Sequence, residues 1–209
     1  RVQVPGDISS AAFFLAAVLI VPGSQLVIEN TGLNPTRTGI LDVLRRMGAA
    51  IRIRDISHVS GEPVGDIEVE YSELEGGELP PEFIPNLIDE LPVLAVLGTQ
   101  TRQGISFRGA AELRVKESDR LAAVADNLRR LDANVEELGD GLCVPGRQRL
   151  RGSTVESYGD HRIAMAFAVA GLAAEGGVAI RGSECVAISF PEFFASLDAV
   201  SQPKPHPER

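Results

Sequence analysis

The 209 residues are 44% hydrophobic and 23% charged, the balance of a soluble globular chain with room for one or two cores. A formal net charge of −9 argues against non-specific nucleic-acid binding, which needs a basic face, so an anionic ligand has to be held by a local basic pocket. Two cysteines, Cys143 and Cys185, with no CxxC pair and no His/Cys cluster, read as reduced structural thiols and point to no metal and no cofactor. No apolar run reaches the roughly 18 residues of a membrane span. No signal peptide is evident, and the chain opens at Arg1 inside strand-like sequence. That opening reads as a piece of a longer protein, for which a missing signal says little, and the two reduced thiols fit a cytoplasmic one.

In chain order, residues 2–4 alternate like the end of a strand, and Asp7 or Ser9 is placed to cap a helix. The apolar run 11–20 is a helix buried on most sides, ended by Pro22-Gly23 and followed by a strand at 25–29. Residues 31–37 (TGLNPTR) are a loop, and 38–47 an amphipathic helix stopped by Gly48. Strands are expected at 50–54 and 66–71, with a loop at 57–65 that carries His58 as a surface residue, and another loop at 73–85. Asp89 fits the N-cap of an apolar helix over 93–97, with Pro92 in its first turn. A strand at 105–107 leads to RVKESDR (114–120) and an amphipathic helix through Leu131. A short β pair spans 134–144. Tyr158-Gly159-Asp160-His161-Arg162 opens a third apolar helix over 163–174, followed by a strand at 178–181 and a last helix at 191–200. Residues 201–209 are Pro-rich and charged, a disordered tail.

Three segments share one order of parts: an acid (Asp7, Asp89, Asp160), an apolar helix, a strand, a Gly-containing loop and a second helix. The spacing from acid to loop glycine is 25, 20 and 22 residues, to Gly32, Gly109 and Gly182. Such a repeat argues for an α/β fold of pseudo-threefold symmetry, with inner helices wrapped by sheets and outer helices. The starts of the inner helices then gather at one end, where free N–H groups and positive dipole ends favour anions.

The plain reading of Asp89, Ser118 and Asp160 is helix caps, and of Lys116 and Arg120 a solvated face. Repetition favours a joint role. Lys116, Arg120 and Arg162 suit phosphate or carboxylate, and Asp89 and Glu117, 28 residues apart, form a carboxylate pair for general acid–base work.

RVKESDRL (114–121), GDHRIAM (159–165), LIDELPVLA (87–95) and GDISSAAFFLAA (6–17) resemble the 5-enolpyruvylshikimate-3-phosphate synthase family, the 3-phosphoshikimate 1-carboxyvinyltransferases. The resemblance runs in order over about residues 2–200. NPTR (34–37) resembles the subclass that includes glyphosate-tolerant bacterial forms. The resemblance implies two domains of three βαβαββ units, an inside-out α/β barrel, with residues 1–33 ending the N-terminal domain and 34–200 forming a C-terminal domain without its first strand. It implies transfer of the enolpyruvyl group of phosphoenolpyruvate to the 5-hydroxyl of shikimate 3-phosphate, with release of phosphate, on the route to chorismate and aromatic amino acids. No nucleic acid or membrane takes part, and the full-length protein is expected to be a monomer.

By motif position, Asp89 matches the proton acceptor at the shikimate hydroxyls and Glu117 the proton carrier at the methylene carbon. Lys116 matches a contact to both substrates, Arg120 and Arg162 the phosphoenolpyruvate clamp, and His161 a supporting neighbour. Ile188 stands where many members have Lys, and Glu112 where some have Asn. The family's N-terminal half is missing, so the fragment is expected to be inactive alone. The alternatives are a UDP-N-acetylglucosamine enolpyruvyl transferase, or a non-catalytic binding relative.

Overall fold

The computed structural model describes residues 4–201. The strand end expected at 2–4 falls outside this range except for Val4, and the expected tail falls outside it except for Ser201, which closes the last helix. Three apolar helices form the centre. They are α1 (Ile8–Ile20), α3 (Leu91–Gly98) and α5 (His161–Gly171), and they pack on one another in one hydrophobic core. Continuous apolar sequence explains their position: all eight residues of α3 and all of α1 except Ser10 are buried. Asp7 caps α1 by accepting from the Ser10 N–H at 2.9 Å.

The outer helices are α2 (Gly39–Arg46) and α4 (Arg120–Arg130). On α2, Ile40, Leu41, Val43 and Leu44 face the core, while Asp42, Arg45 and Arg46 face water, the period of a one-sided helix. The last helix, α6 (Phe193–Ser201), seats Phe193 edge-on against Phe13 and Phe14 of α1 at 5.9 and 5.7 Å between ring centres.

The sheets repeat with the helices. The first has the order β1 (Gln25–Gly32), β3 (Glu62–Glu70), β2 (Ala50–Val59), and Gly6 adds a parallel bridge to Thr31 of β1. The second has the order β4 (Gly77–Glu78), β5 (Ile105–Phe107), β7 (Gly141–Val144), β6 (Glu136–Leu138), with β4 parallel to β5. Gly6, β1, β3 and β2 thus correspond to β4, β5, β7 and β6. The third sheet has the parallel pair β8 (Thr154–Glu156) and β9 (Ala179–Arg181), without counterparts of the last two strands among the described residues.

Several expectations are corrected. The division at 33/34 put α1 in a different domain from α3 and α5, but α1 shares their core, and β1 pairs with β3 beyond that point. The loop expected at 57–65 is largely strand. β2 and β3 form a long hairpin turning at Ser60-Gly61, and Asp55, at φ 50°, absorbs a register shift between Arg54 and Ser57 that lets pairing continue. β8 was not expected. Its three residues carry little pattern, and its partner β9 lies more than twenty residues away.

Candidate functional site

The N-terminal ends of α3 and α5 meet the start of α4, and Arg120 is the residue that joins them. Its side chain is 1% exposed. Its Nε donates to Asp160 Oδ2 at 2.8 Å, Nη1 to Asp89 Oδ1 at 3.1 Å, and Nη2 to Glu117 Oε2 at 2.6 Å and Asp160 Oδ1 at 3.4 Å. Four of the roughly five guanidinium donor directions are therefore taken by carboxylates. Asp160 is fully buried and also accepts from Ser118 Oγ at 3.1 Å and the Arg162 N–H at 2.9 Å, which caps α5. Arg162 reaches back to Asp89 Oδ2 at 3.3 Å. Residues from three segments distant in sequence thus close one charged network.

Asp89 is not the N-cap of α3. Glu90 holds that position, and the chain enters α3 through a hydrogen-bonded turn (Glu90 N–H to Leu87 O, 2.8 Å) that follows a 3-10 segment, Pro81–Leu87. That turn leaves the Asp89 carboxylate free for the two arginines. Ser118 is not a cap either: Asp119 caps α4 through the Ala122 N–H at 3.1 Å, and Ser118 bonds Asp160. Arg114 stands outside the network and clamps Asp119 at 2.8 Å and Glu137 at 3.0 Å, tying RVKESDR to β6. Lys116 also points elsewhere, to an ion pair with Glu112.

The charges explain the protonation states. Burial opposes ionisation of Asp160, but the Arg120 hydrogen bond and charge, the Arg162 N–H and Ser118 outweigh it and hold the carboxyl below the usual carboxylate range. Burial likewise works against the Arg120 charge, and Asp160, Glu117 and Asp89 outweigh it to push the guanidinium up. His161 at the start of α5 is held below its ordinary value by burial and then by Arg162, which favours the neutral ring.

The sequence reading missed Glu90, which is 4% exposed at the meeting of α1 and α3. Burial pushes its carboxyl up, with Asp89 adding to the shift; Ser9, Arg162 and Arg37 oppose it. Arg37 of the NPTR loop donates to Ser9 Oγ at 3.0 Å and Asp7 Oδ1 at 3.3 Å, so that loop is tied to the same end of the helices. A cavity of about 510 Å³ lies at the other end, lined by Leu19, Leu97 and Leu172 with Arg102 and Arg147, and touches none of these residues. No helix among the described residues is long and apolar enough to cross a membrane.

The network counts two guanidinium groups against three carboxylates. It is rigid where buried (Arg120, Asp160) and adaptable where exposed: the Glu117 side chain is 50% exposed and that of Asp89 34%. Such an arrangement can exchange an exposed carboxylate for a ligand anion and offers two carboxylates for proton transfer.

Residues 1–197 match the family model for EPSP synthase (3-phosphoshikimate 1-carboxyvinyltransferase). A 3-phosphoshikimate 1-carboxyvinyltransferase of Geobacter sulfurreducens is 54% identical over 200 residues, covering 96% of this chain and 47% of the relative. One from Solibacter usitatus is 51% identical over 199 residues, covering 95% and 47%. The chain spans about half the length of these relatives. The structure of an EPSP synthase from Acinetobacter baumannii superposes with a TM-score of 0.91 at 40% identity, over 95% of this chain and 46% of that one. The enolpyruvyl transferase NikO from Streptomyces tendae, 18% identical, shares the fold with a TM-score of 0.72 over 95% of this chain and 44% of that one.

Proposed function

The chain belongs to the EPSP synthase family, and on that premise we propose that the full-length protein transfers the enolpyruvyl group of phosphoenolpyruvate to the 5-hydroxyl of shikimate 3-phosphate, releasing phosphate. The observation that carries this reading is the buried Arg120, held by Asp160 and shared with Asp89 and Glu117. Arg120, Arg162 and Lys116 bind phosphoenolpyruvate, with His161 in support. Asp89 and Lys116 bind shikimate 3-phosphate.

Asp89 accepts the hydroxyl proton as the oxygen attacks the central carbon of phosphoenolpyruvate, and Glu117 gives a proton to the methylene carbon, which becomes a methyl group. Phosphate then leaves with the proton held by Asp89, and Glu117 takes a methyl proton back, restoring the double bond. Fixed cations offset the charges of both substrates throughout. With its donors engaged, Arg120 binds an anion only by exchange. The half-exposed Glu117 yields its place to the substrate, and away from the Arg120 charge it takes up the proton that it delivers to the methylene carbon.

Residues 8–201 form the larger part of one domain. A segment outside the described residues adds along the free edge of β9, where the other two sheets carry two further strands. The opposite wall of the cleft also lies outside this chain, which is inactive alone. The full-length protein is a cytoplasmic monomer.

The test is phosphate release by the full-length protein. It is expected only when phosphoenolpyruvate and shikimate 3-phosphate are both present. Release with UDP-N-acetylglucosamine as acceptor, or none with either, overturns the assignment.

A further inference from the structure

The backbone is left-handed at two successive residues just ahead of α5. Tyr158 has φ 55° and Gly159 φ 71°. Glycine takes this conformation freely; for a bulky L residue it costs roughly 1–2 kcal/mol. Tyr158 gains little from burial, since it is 46% exposed. Its contribution lies in its hydroxyl, which donates to Asp126 Oδ2 on α4 at 2.5 Å. Arg130 holds the same oxygen at 2.7 Å.

The turn is anchored on both sides. Ser157, buried, donates from its hydroxyl to Gly182 O at 2.9 Å and accepts the Gly159 N–H at 3.1 Å. The Asp160 N–H closes the turn on Ser157 O at 3.0 Å. On the other side α4 grips the approach to α5 at three levels: Arg120 on Asp160, Asp126 on Tyr158, and Asn127 exchanging two hydrogen bonds with the Glu156 backbone at 2.8 and 3.0 Å. Two side-chain hydrogen bonds reach the left-handed pair itself, Ser157 Oγ to the Gly159 N–H and the Tyr158 phenol, and of the three from α4 only the phenol does.

We propose that Tyr158 is a positioning residue. Its bond to Asp126 holds the left-handed turn that aims Asp160, His161 and Arg162 into the charged network. The kinetic part of this inference rests on the enolpyruvyl transfer proposed above; the structural part does not.

The experiment therefore has two readouts on the full-length protein. In steady-state kinetics, Tyr158→Phe and Asp126→Ala are each expected to raise KM for phosphoenolpyruvate about tenfold, the scale of one hydrogen bond to a charged group. KM for shikimate 3-phosphate and kcat should change little. The double variant should cost no more than either single one, because both remove the same bond. Asp126→Asn keeps an acceptor oxygen and should restore near-native KM. In hydrogen exchange, the amides of residues 159–162 should exchange faster in Tyr158→Phe at unchanged melting temperature. Single variants with native KM, or effects that multiply in the double variant, overturn the kinetic role. Unchanged exchange at 159–162 overturns the proposal even if the native protein turns over neither substrate, an outcome that by itself refutes only the assigned reaction.

Discussion

Replacing Arg120 by methionine keeps much of its volume and removes its charge. The structure says where the loss falls. Glu117 is half exposed and regains water, and Asp89 keeps Arg162. Asp160 is fully buried and keeps only Ser118 Oγ and the Arg162 N–H. One buried carboxylate is thus stranded, a change worth about 3–5 kcal/mol. At about 2–4 °C per kcal/mol for a domain near this size, the melting temperature should fall by roughly 10 °C. Asparagine at 160 still caps a helix well and carries no charge. Arg120→Met with Asp160→Asn should therefore recover more than half of the loss.

The pH dependence follows from the sign of the shift. The Asp160 carboxyl is held low in the native protein, so its stabilisation is present above the ordinary carboxylate range and is lost as pH falls through the lowered value. In Arg120→Met the stranded carboxylate favours protonation instead, and the deficit should shrink on acidification. Differential scanning fluorimetry of the full-length protein between pH 3 and 8 reads both effects. A fall below about 3 °C, or a double variant no more stable than the single one, refutes the reasoning.

Two other substitutions test the surrounding structure. Burial raises the Glu90 carboxyl, so its charged form costs stability above the raised value, and this cost is relieved as pH falls through it. Glu90→Gln should then melt higher than the native protein at pH 8, with the gap closing toward pH 5; a lower melting temperature at pH 8 contradicts this. Gly182 sits at φ 70°, and a Cβ there would stand 2.6 Å from Ser157 Oγ. Gly182→Ala should cost about 1–2 kcal/mol in urea unfolding, and a neutral result contradicts the close approach.

The inner helices were legible because an apolar run with no polar face has only one place to go. Leu91 to Gly98 and Ile8 to Ile20 are such runs. The repeat was legible for the same reason, and from it the gathering of Asp89, Arg120 and Arg162. Asp89 was placed at the N-cap of α3 because a carboxylate before a helix looks like a cap whether or not the preceding turn has made a cap unnecessary. Lys116 was grouped with Arg120 on charge and motif position, and nothing in a seven-residue motif shows its ion pair with Glu112, one turn earlier. The hairpin between Ile51 and Val69 was cut short because Gly61 and Pro63 carry the chemistry of a loop, although only two residues turn. Asp160 as a hub depends on residues 40 positions away.

The three inner helices run side by side in one direction: Arg120 and Arg162 join the starts of α3 and α5, Ser9 at the start of α1 bonds Glu90 beside them, and their ends, at Leu19, Leu97 and Leu172, line one cavity. Parallel helices stack like poles of magnets, each repelling its neighbours. The acids at their starts absorb that repulsion in the empty protein. A bound anion would take over part of the same task, so occupancy and cohesion of the core draw on one electrostatic reserve. The melting temperature of this protein should accordingly report how full its site is.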